Sequence, residues 1–382
     1  MEISAYIQVF TGGYRGSQVS FPAVQTALEQ LPAELTLSGV VMGWAPGKTL
    51  YLQTLEYLKK KGIPLYLWLP VFSETSILEN CAPLMTVDGE SLRGQRTDGA
   101  EAFDFCCPAS QRNIENAYSI FRRHFMDIGF DGIFLDKIRY PSPANVPWGW
   151  RVCFCPSCLR QHQRQGLSPD EIRLAAERLH NATAPFTTLA YENGAYRFAD
   201  LAWERFFKAK ADVVTTSVKT LSSRFRAEGY RVGLDVFAPF LSPFVGQDIA
   251  ALSRCCDWIK PMMYRKTHAP AGLPFEINAL CQTACPDPVQ SWFSAMTGGE
   301  HKVPDSAFLR RDLEYAGSRS ACPIFPGLEV NRIPKIADIT PTDVWQGAEM
   351  LPKDTSGVVL SWNLLCAPED NVKAAAQMLQ RM

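Results

Sequence analysis

Histidine and net charge are what this 382-residue sequence has least of. Its five His show no ligand spacing at strand ends, which speaks against a His-ligated catalytic metal. The 38 Lys and Arg against 39 Asp and Glu leave a formal charge of −1. Composition therefore gives no reason to expect nucleic acid or an anionic membrane as partner. The longest apolar runs are strand-sized, well short of a membrane span. The N-terminal Met-Glu-Ile-Ser-Ala-Tyr has neither the basic nor the apolar region of a signal peptide, so the expected location is cytoplasmic. No Gly-x-Gly-x-x-Gly or P-loop follows any predicted strand, which argues against a nucleotide-binding open sheet. Cysteine, at 12 residues, is far too sparse for a disulfide scaffold. Without an export signal, the cysteines are expected to be reduced thiols or metal ligands.

What is present is a globular profile. The chain is 47% hydrophobic and 20% charged, with 11% aromatics and nine Trp, ample material for a core. The most informative stretch is 129–142, Gly-Phe-Asp-Gly-Ile-Phe-Leu-Asp-Lys-Ile-Arg-Tyr-Pro-Ser. A helical pattern from about Ser110 runs into the turn Asp131-Gly132. Ile133, Phe134 and Leu135 then read as a strand buried on both faces. That strand ends in Asp136, followed by Lys137, Arg139 and Tyr140 before the breaker Pro141. Ionisable groups on the end of a buried strand are costly unless paired or working.

Strands are predicted at 3–10, 35–44, 64–72, 133–136, 232–237, 258–264, 324–330 and 357–362. Helices are predicted at 21–31, 49–61, 110–128, 199–228, 306–317, 342–350 and 368–381. Eight strands alternating with helices predict an α/β fold, a (β/α)8 TIM barrel. The barrel is expected to span 1–382 as a single domain. A Cys-containing helical insertion at 143–200, including a helix at 169–180, would interrupt it after strand four.

In such a barrel the C-terminal strand ends converge on one pocket. They supply Trp44, Trp68, Asp136, Arg139, Tyr140, Asp235, Lys260, Tyr264, Glu329, Asn331 and Trp362. Flat aromatic faces beside acids and amides suit a sugar, whose C–H faces stack while its hydroxyls need polar partners. Glycoside hydrolysis needs two carboxyls flanking the scissile bond, and Asp136, Asp235 and Glu329 are the candidates. Structural alternatives stand beside each. Asp136 could pair with Lys137 or Arg139, Asp235 could cap a loop, Glu329 could be merely a substrate-orienting or structural acid, and Lys260 could be a buried partner for one of these acids.

Cys153-Phe-Cys155-Pro-Ser-Cys158 is C-x-C-x-x-C, and Cys106-Cys107 precedes it. Three ligands from the insertion and one from the earlier pair would make a closed, structural zinc site. Spacing does not choose between Cys106 and Cys107, and a set of free thiols is the alternative.

Residues 129–141, then Gly233-Leu-Asp-Val-Phe237 with Gly246-Gln-Asp248, then Asp257-Trp-Ile-Lys-Pro-Met-Met-Tyr264, resemble glycoside-hydrolase-like (β/α)8 barrels found across bacteria. Most members of that family have no assigned activity. The resemblance covers strands four to six and implies that Asp136 is the strand-four acid, where α-amylase-like barrels carry a nucleophile. The cysteine arrangement resembles the structural zinc site of family 42 β-galactosidases, although that family's strand-four Asn-Glu pair is absent here. The expected function is a glycoside hydrolase acting on an oligosaccharide or glycoside. Asp136 would be nucleophile or base, Glu329 general acid, and Asp235 the reserve. Trp44, Trp68, Arg139, Tyr140, Lys260, Tyr264, Asn331 and Trp362 would bind substrate. A barrel that binds carbohydrate without hydrolysing it is the alternative. The partner is carbohydrate, and the sequence leaves room for a homo-oligomer.

Overall fold

A computed structural model describes residues 3–12, 19–74, 81–93, 104–142, 144–146, 152–168, 170–171, 174, 188–198, 201–283 and 303–382. The predicted helix at 169–180 falls largely outside them, as do Trp148 and Trp150.

Eight parallel strands close into a barrel. In chain order they are β1 Ser4–Phe10, β2 Leu37–Gly43, β3 Leu65–Pro70, β4 Gly132–Asp136, β7 Arg231–Phe237, β8 Trp258–Met262, β9 Gly327–Glu329 and β12 Gly357–Ser361. Two small antiparallel pairs lie outside it, β5 Thr188–Glu192 with β6 Ala195–Phe198, and β10 Arg332–Ile333 with β11 Ala337–Asp338. Helices Phe21–Glu29, Lys48–Lys59, Gln111–His124, Leu201–Ala227, Ser306–Arg319, Pro341–Ala348 and Glu369–Arg381 provide the outer layer. Among the described residues no helix is long and apolar enough to cross a membrane.

Strand alternation divides the apolar residues into two cores. One faces the helices. The other fills the barrel and consists of Tyr6, Val41, Trp44, Tyr66, Trp68, Phe134, Trp258 and Val359. Tyr6 stacks on Trp258 at 4.4 Å, and Phe134 stacks on Trp258 at 4.9 Å. Rings this large fit because glycines face them. A Cβ at Gly132 would come within 2.3 Å of the Tyr66 ring, and one at Gly233 within 2.4 Å of Trp258.

Two departures from the expected elements have physical causes. The strand expected at 324–330 is reduced to Gly327–Glu329, because Pro323 and Pro326 have no N–H to donate to a ladder. The hairpin β5–β6 was not expected inside a helical insertion. Its turn is Asn193-Gly194, both with positive φ (52° and 67°), a two-residue hairpin turn that the Asn-Gly pair signals.

Candidate functional site

Alternation places Phe134 and Asp136 of β4, Gly233 and Asp235 of β7, and Trp258 and Lys260 of β8 on the barrel interior. The aromatic layer plugs the lower lumen. Above it lies a polar layer of Gln8, Asp136, Asp235, Lys260, Glu329 and Ser361, all buried. Above that lie Phe10, Trp44, Trp68 and Trp362 at the mouth, with Trp44 and Trp68 buried and Phe10 and Trp362 half-buried. Trp44 meets Phe10 at 5.0 Å and Trp68 at 5.1 Å, while Phe10 meets Trp362 at 6.5 Å.

Asp136 is 8% exposed, and both its oxygens are held. The Trp68 indole Nε1 donates to Oδ2 at 2.9 Å, and the backbone N–H of Lys137 donates to Oδ1 at 2.5 Å. Lys137 has φ 52°, a left-handed conformation uncommon for a residue with a side chain and frequent at functional sites. Its Nζ pairs with Glu74 at 2.8 Å and lies 4.8 Å from the Trp44 ring centroid.

Asp235 is deeper, at 2% exposure. Oδ2 accepts from Lys260 Nζ at 3.1 Å, and Oδ1 is buried with no hydrogen-bond partner among the described residues. Burial pushes its carboxyl up to about 7. Asp136 adds to the rise, while Lys260 and Arg139 oppose it. The β4–β7 register pairs Leu135 with Leu234, so the next residues, Asp136 and Asp235, are neighbours at the same level.

Lys260 is fully buried. Its Nζ also donates to Gln8 Oε1 at 2.8 Å and to the Tyr264 hydroxyl at 2.6 Å. Burial holds its ammonium below the usual lysine range, against the pull of Asp235. Lys260, Gln8, Asp235 and Tyr264 thus form a hydrogen-bonded network in the barrel interior.

Glu329, at the end of β9, is held by different partners from the Asp pair. Its oxygens accept from the Lys266 N–H (2.7 Å), the Thr267 N–H (3.0 Å) and the Thr267 hydroxyl (2.7 Å). It anchors the loop after β8. Asn331 is likewise committed. Its Nδ2 donates to the Asn363 carbonyl at 2.5 Å, and its Oδ1 accepts the N–H groups of Trp362 and Asn363. Arg139 lies between the rings of Phe105 and Phe237, at 4.7 and 4.5 Å, and donates to Asn145 Oδ1 and the Tyr140 carbonyl. The Tyr140 hydroxyl contacts Cys158 Sγ at 3.3 Å, on the cysteine side of the chain. Of the eight residues expected to bind substrate, Trp44, Trp68 and Trp362 stand at the mouth.

The cysteine expectation resolves to one set. Cys107, Cys153, Cys155 and Cys158 place their sulfurs within 4.8 Å of one another. Cys107 Sγ is 3.5 Å from both Cys155 and Cys158, and a zinc tetrahedron with bonds of about 2.3 Å has sulfur edges near ~3.8 Å. The Met85 and Cys155 N–H groups point at Cys153 Sγ, the kind of outer support thiolate ligands receive. These four residues could hold a metal ion. Cys106 is not among them, because successive residues of an extended chain point to opposite sides, and it is buried in the core instead.

Gln8 was missed by sequence reasoning. Its signal was a polar residue of the same parity as Tyr6 and Phe10 in an otherwise apolar strand. Outside the barrel, a groove of about 590 Å³ lies between the hairpin and the helices Leu201–Ala227 and Ser306–Arg319. Its Arg197 is ion-paired with Glu204 and its Lys208 with Asp212, and it contains none of the interior acids.

A closed eight-stranded barrel with an acidic interior end is the class that the geometry defines, and solved structures share the fold. The chain is similar to the PgaB (BpsB) glycoside hydrolase domain from Bordetella bronchiseptica, with 13% identity, 99% of each chain covered and a TM-score of 0.58. Lesser likenesses are to a class V chitinase from Pseudomonas fluorescens, at 12% identity, 97% and 98% coverage and a TM-score of 0.48, and to a chitinase from Chromobacterium violaceum, at 12%, 98% and 99%, and 0.46. No protein-family model and no curated protein matches the chain.

Proposed function

We propose that this barrel is a retaining glycoside hydrolase acting on an oligosaccharide or glycoside, with Asp136 as nucleophile and Asp235 as proton donor. The observation carrying this reading is the pair of carboxyls at adjacent strand ends beneath an aromatic mouth. Neighbouring strands lie about 4.8 Å apart. In this reading the two carboxyls sit at the ~5 Å of retaining enzymes rather than at the ~6.5–9.5 Å that inverting ones need for a water. Asp235, with its carboxyl pushed up to about 7, holds a proton near neutrality. Asp136, oriented by Trp68 and Lys137, attacks the anomeric carbon while Asp235 protonates the leaving oxygen. Asp235 then takes a proton from the water that releases the sugar. Trp362, half-buried at the mouth, offers a ring face to the sugar, with the buried Trp44 and Trp68 packed against Phe10 beside it. Glu329, tied to Lys266 and Thr267, positions the adjoining loop. The fold likeness to a glycoside hydrolase domain agrees with this reading.

A second reading, a carbohydrate-binding barrel without turnover, draws on the depth of Asp235 and its pairing with Lys260. Separately, the four-cysteine cluster is proposed to hold one structural zinc, tying the 143–200 insertion to the barrel. A four-thiolate site has no open position, so no reaction step passes through it.

The test is turnover on a panel of aryl glycosides and oligosaccharides. Asp136→Asn should lower it at least ~10³-fold, with unchanged circular dichroism and partial rescue by azide. Wild-type rates in that variant would sink the assignment. Sugar binding without turnover in the unmodified protein would favour the second reading.

A further inference from the structure

Outside the four-cysteine cluster a second pair of thiols stands close together. Cys256 precedes β8 and Cys322 precedes β9, with their sulfurs 3.6 Å apart. Cys256 is buried and Cys322 half-buried, so one of the two is open to a reagent from solvent. Both lie at the N-terminal end of the barrel, opposite the mouth.

Their position coincides with a thin seam. Most neighbouring barrel strands pair over three or more residues, whereas β8 and β9 pair only at Met262 and Gly327. Two backbone bonds below that pair, Ile259 N–H to the Pro323 carbonyl and Phe325 N–H to the Ile259 carbonyl, complete the junction. Pro261 within β8, and Pro323 and Pro326 beside β9, can accept but not donate. A covalent link just beyond Pro323 would supply what the ladder lacks.

The environment suits exchange chemistry. The contact between the two sulfurs holds the half-exposed Cys322 thiol below its usual range, while the same contact and burial push Cys256 up. A thiol so poised and half-exposed is the attacking partner.

We propose that Cys256 and Cys322 form a reversible disulfide by exchange with a low-molecular-weight disulfide, and that this bond staples the β8–β9 seam. The Cys322 thiolate attacks one sulfur of the small disulfide and expels a thiolate. Cys256 loses its proton to solvent and displaces the second thiol from the mixed disulfide. Two protein thiols are oxidised, and one small disulfide is reduced to two thiols.

The experiment treats the full chain with oxidised glutathione near neutral pH, blocks remaining thiols with iodoacetamide, and maps peptides with and without reductant. The expected result is a linked 256–322 peptide pair, lighter by about 2 Da than the two thiols. A Tm about 5 °C above the reduced protein is expected, absent in Cys322→Ser and reversed by dithiothreitol. A stable glutathione adduct at Cys322 without the bridge, or an unmodified pair under conditions that oxidise other cysteines, would overturn the exchange. A bridge without a rise in Tm would overturn the staple. Mapping of the unsubstituted protein decides the first point even if a variant folds poorly.

Discussion

Replacing Lys260 by Met should destabilise the barrel in a way that depends on pH. The swap keeps the chain length and most of the volume, so packing is nearly conserved, but it removes the three donations to Gln8, Tyr264 and Asp235. Buried partners left unsatisfied cost about 1–3 kcal/mol, which sets a loss of about 2 kcal/mol at pH 6, where Asp235 can stay protonated. Asp235 then decides what happens as pH rises. Its folded pKa is raised to about 7 from an unfolded value near ~3.9. Its contribution to stability is therefore fully present below about pH 4 and is lost as pH climbs to about 7, where the curve flattens. Lys260 opposes the rise, so without it Asp235 holds its proton to higher pH and stability keeps falling. At about 1.4 kcal/mol per pH unit, the stretch from about 7 to pH 8.5 adds about 2 kcal/mol. The total near ~4 kcal/mol agrees with the ~3–5 kcal/mol cost of breaking a buried ion pair. The depressed ammonium of Lys260 in the unsubstituted protein acts in the same direction, gaining stability as pH rises above its folded pKa. Urea unfolding at pH 6 and 8.5, for the unsubstituted protein, Lys260→Met, Asp235→Asn and the double variant, measures this. An equal loss at both pH values would refute the ion-pair reasoning, as would a double variant no better than Lys260→Met at pH 8.5.

The same pair sets two further expectations, and the cysteine cluster a third. If Asp235 is the proton donor, kcat/KM should fall as pH rises through about 7, and Lys260→Met should move that limb upward; a profile flat to pH 9 would refute the role. Asp235→Asn should abolish the limb and lower turnover on substrates with poor leaving groups far more than on activated aryl glycosides, so equal loss on both would argue against proton donation. The purified chain should carry one zinc by atomic absorption, and Cys153→Ser should lose it and lower the Tm; a metal-free chain with unchanged Tm would leave the four sulfurs as packed thiols.

The barrel was legible because its signal is local. A polar residue at the end of an apolar run marks where a buried strand emerges, and that rule located Asp136 and Asp235 on adjacent strands. It could not say which way a side chain turns after the strand ends. Arg139 and Tyr140 follow Asp136 by only three and four residues, yet one is clamped between Phe105 and Phe237 and the other reaches Cys158. Glu329 and Asn331 have the right position, but backbone N–H groups of distant loops occupy their oxygens, and no sequence pattern records such a claim. Cys107 over Cys106 is likewise a matter of which side of an extended segment faces the insertion.

The interior network gives a physical reason for a lysine on a barrel strand at all. Burial and the charge of Asp136 push Asp235 upward, while Lys260 and Arg139 pull it down, and the balance falls at about 7. In the proposed role of proton donor, a carboxyl subject to burial alone would hold its proton too tightly to give it to a leaving oxygen. With a solvated position and two cations, it would have no proton to give. The aromatic plug of Tyr6, Tyr66, Phe134 and Trp258 excludes water from below, so the opposing influences act across a dry interior where they are strong. Gly327 makes room for the lysine stem, since a Cβ there would come within 2.6 Å of Lys260 Cε. Gly327→Ala should therefore perturb Asp235 without touching it. Its expected mark is a displaced alkaline limb of the pH profile, together with loss of the Met262–Gly327 pairing that joins β8 to β9. An unchanged pH profile in a folded Gly327→Ala protein would show that the lysine does not govern the acid.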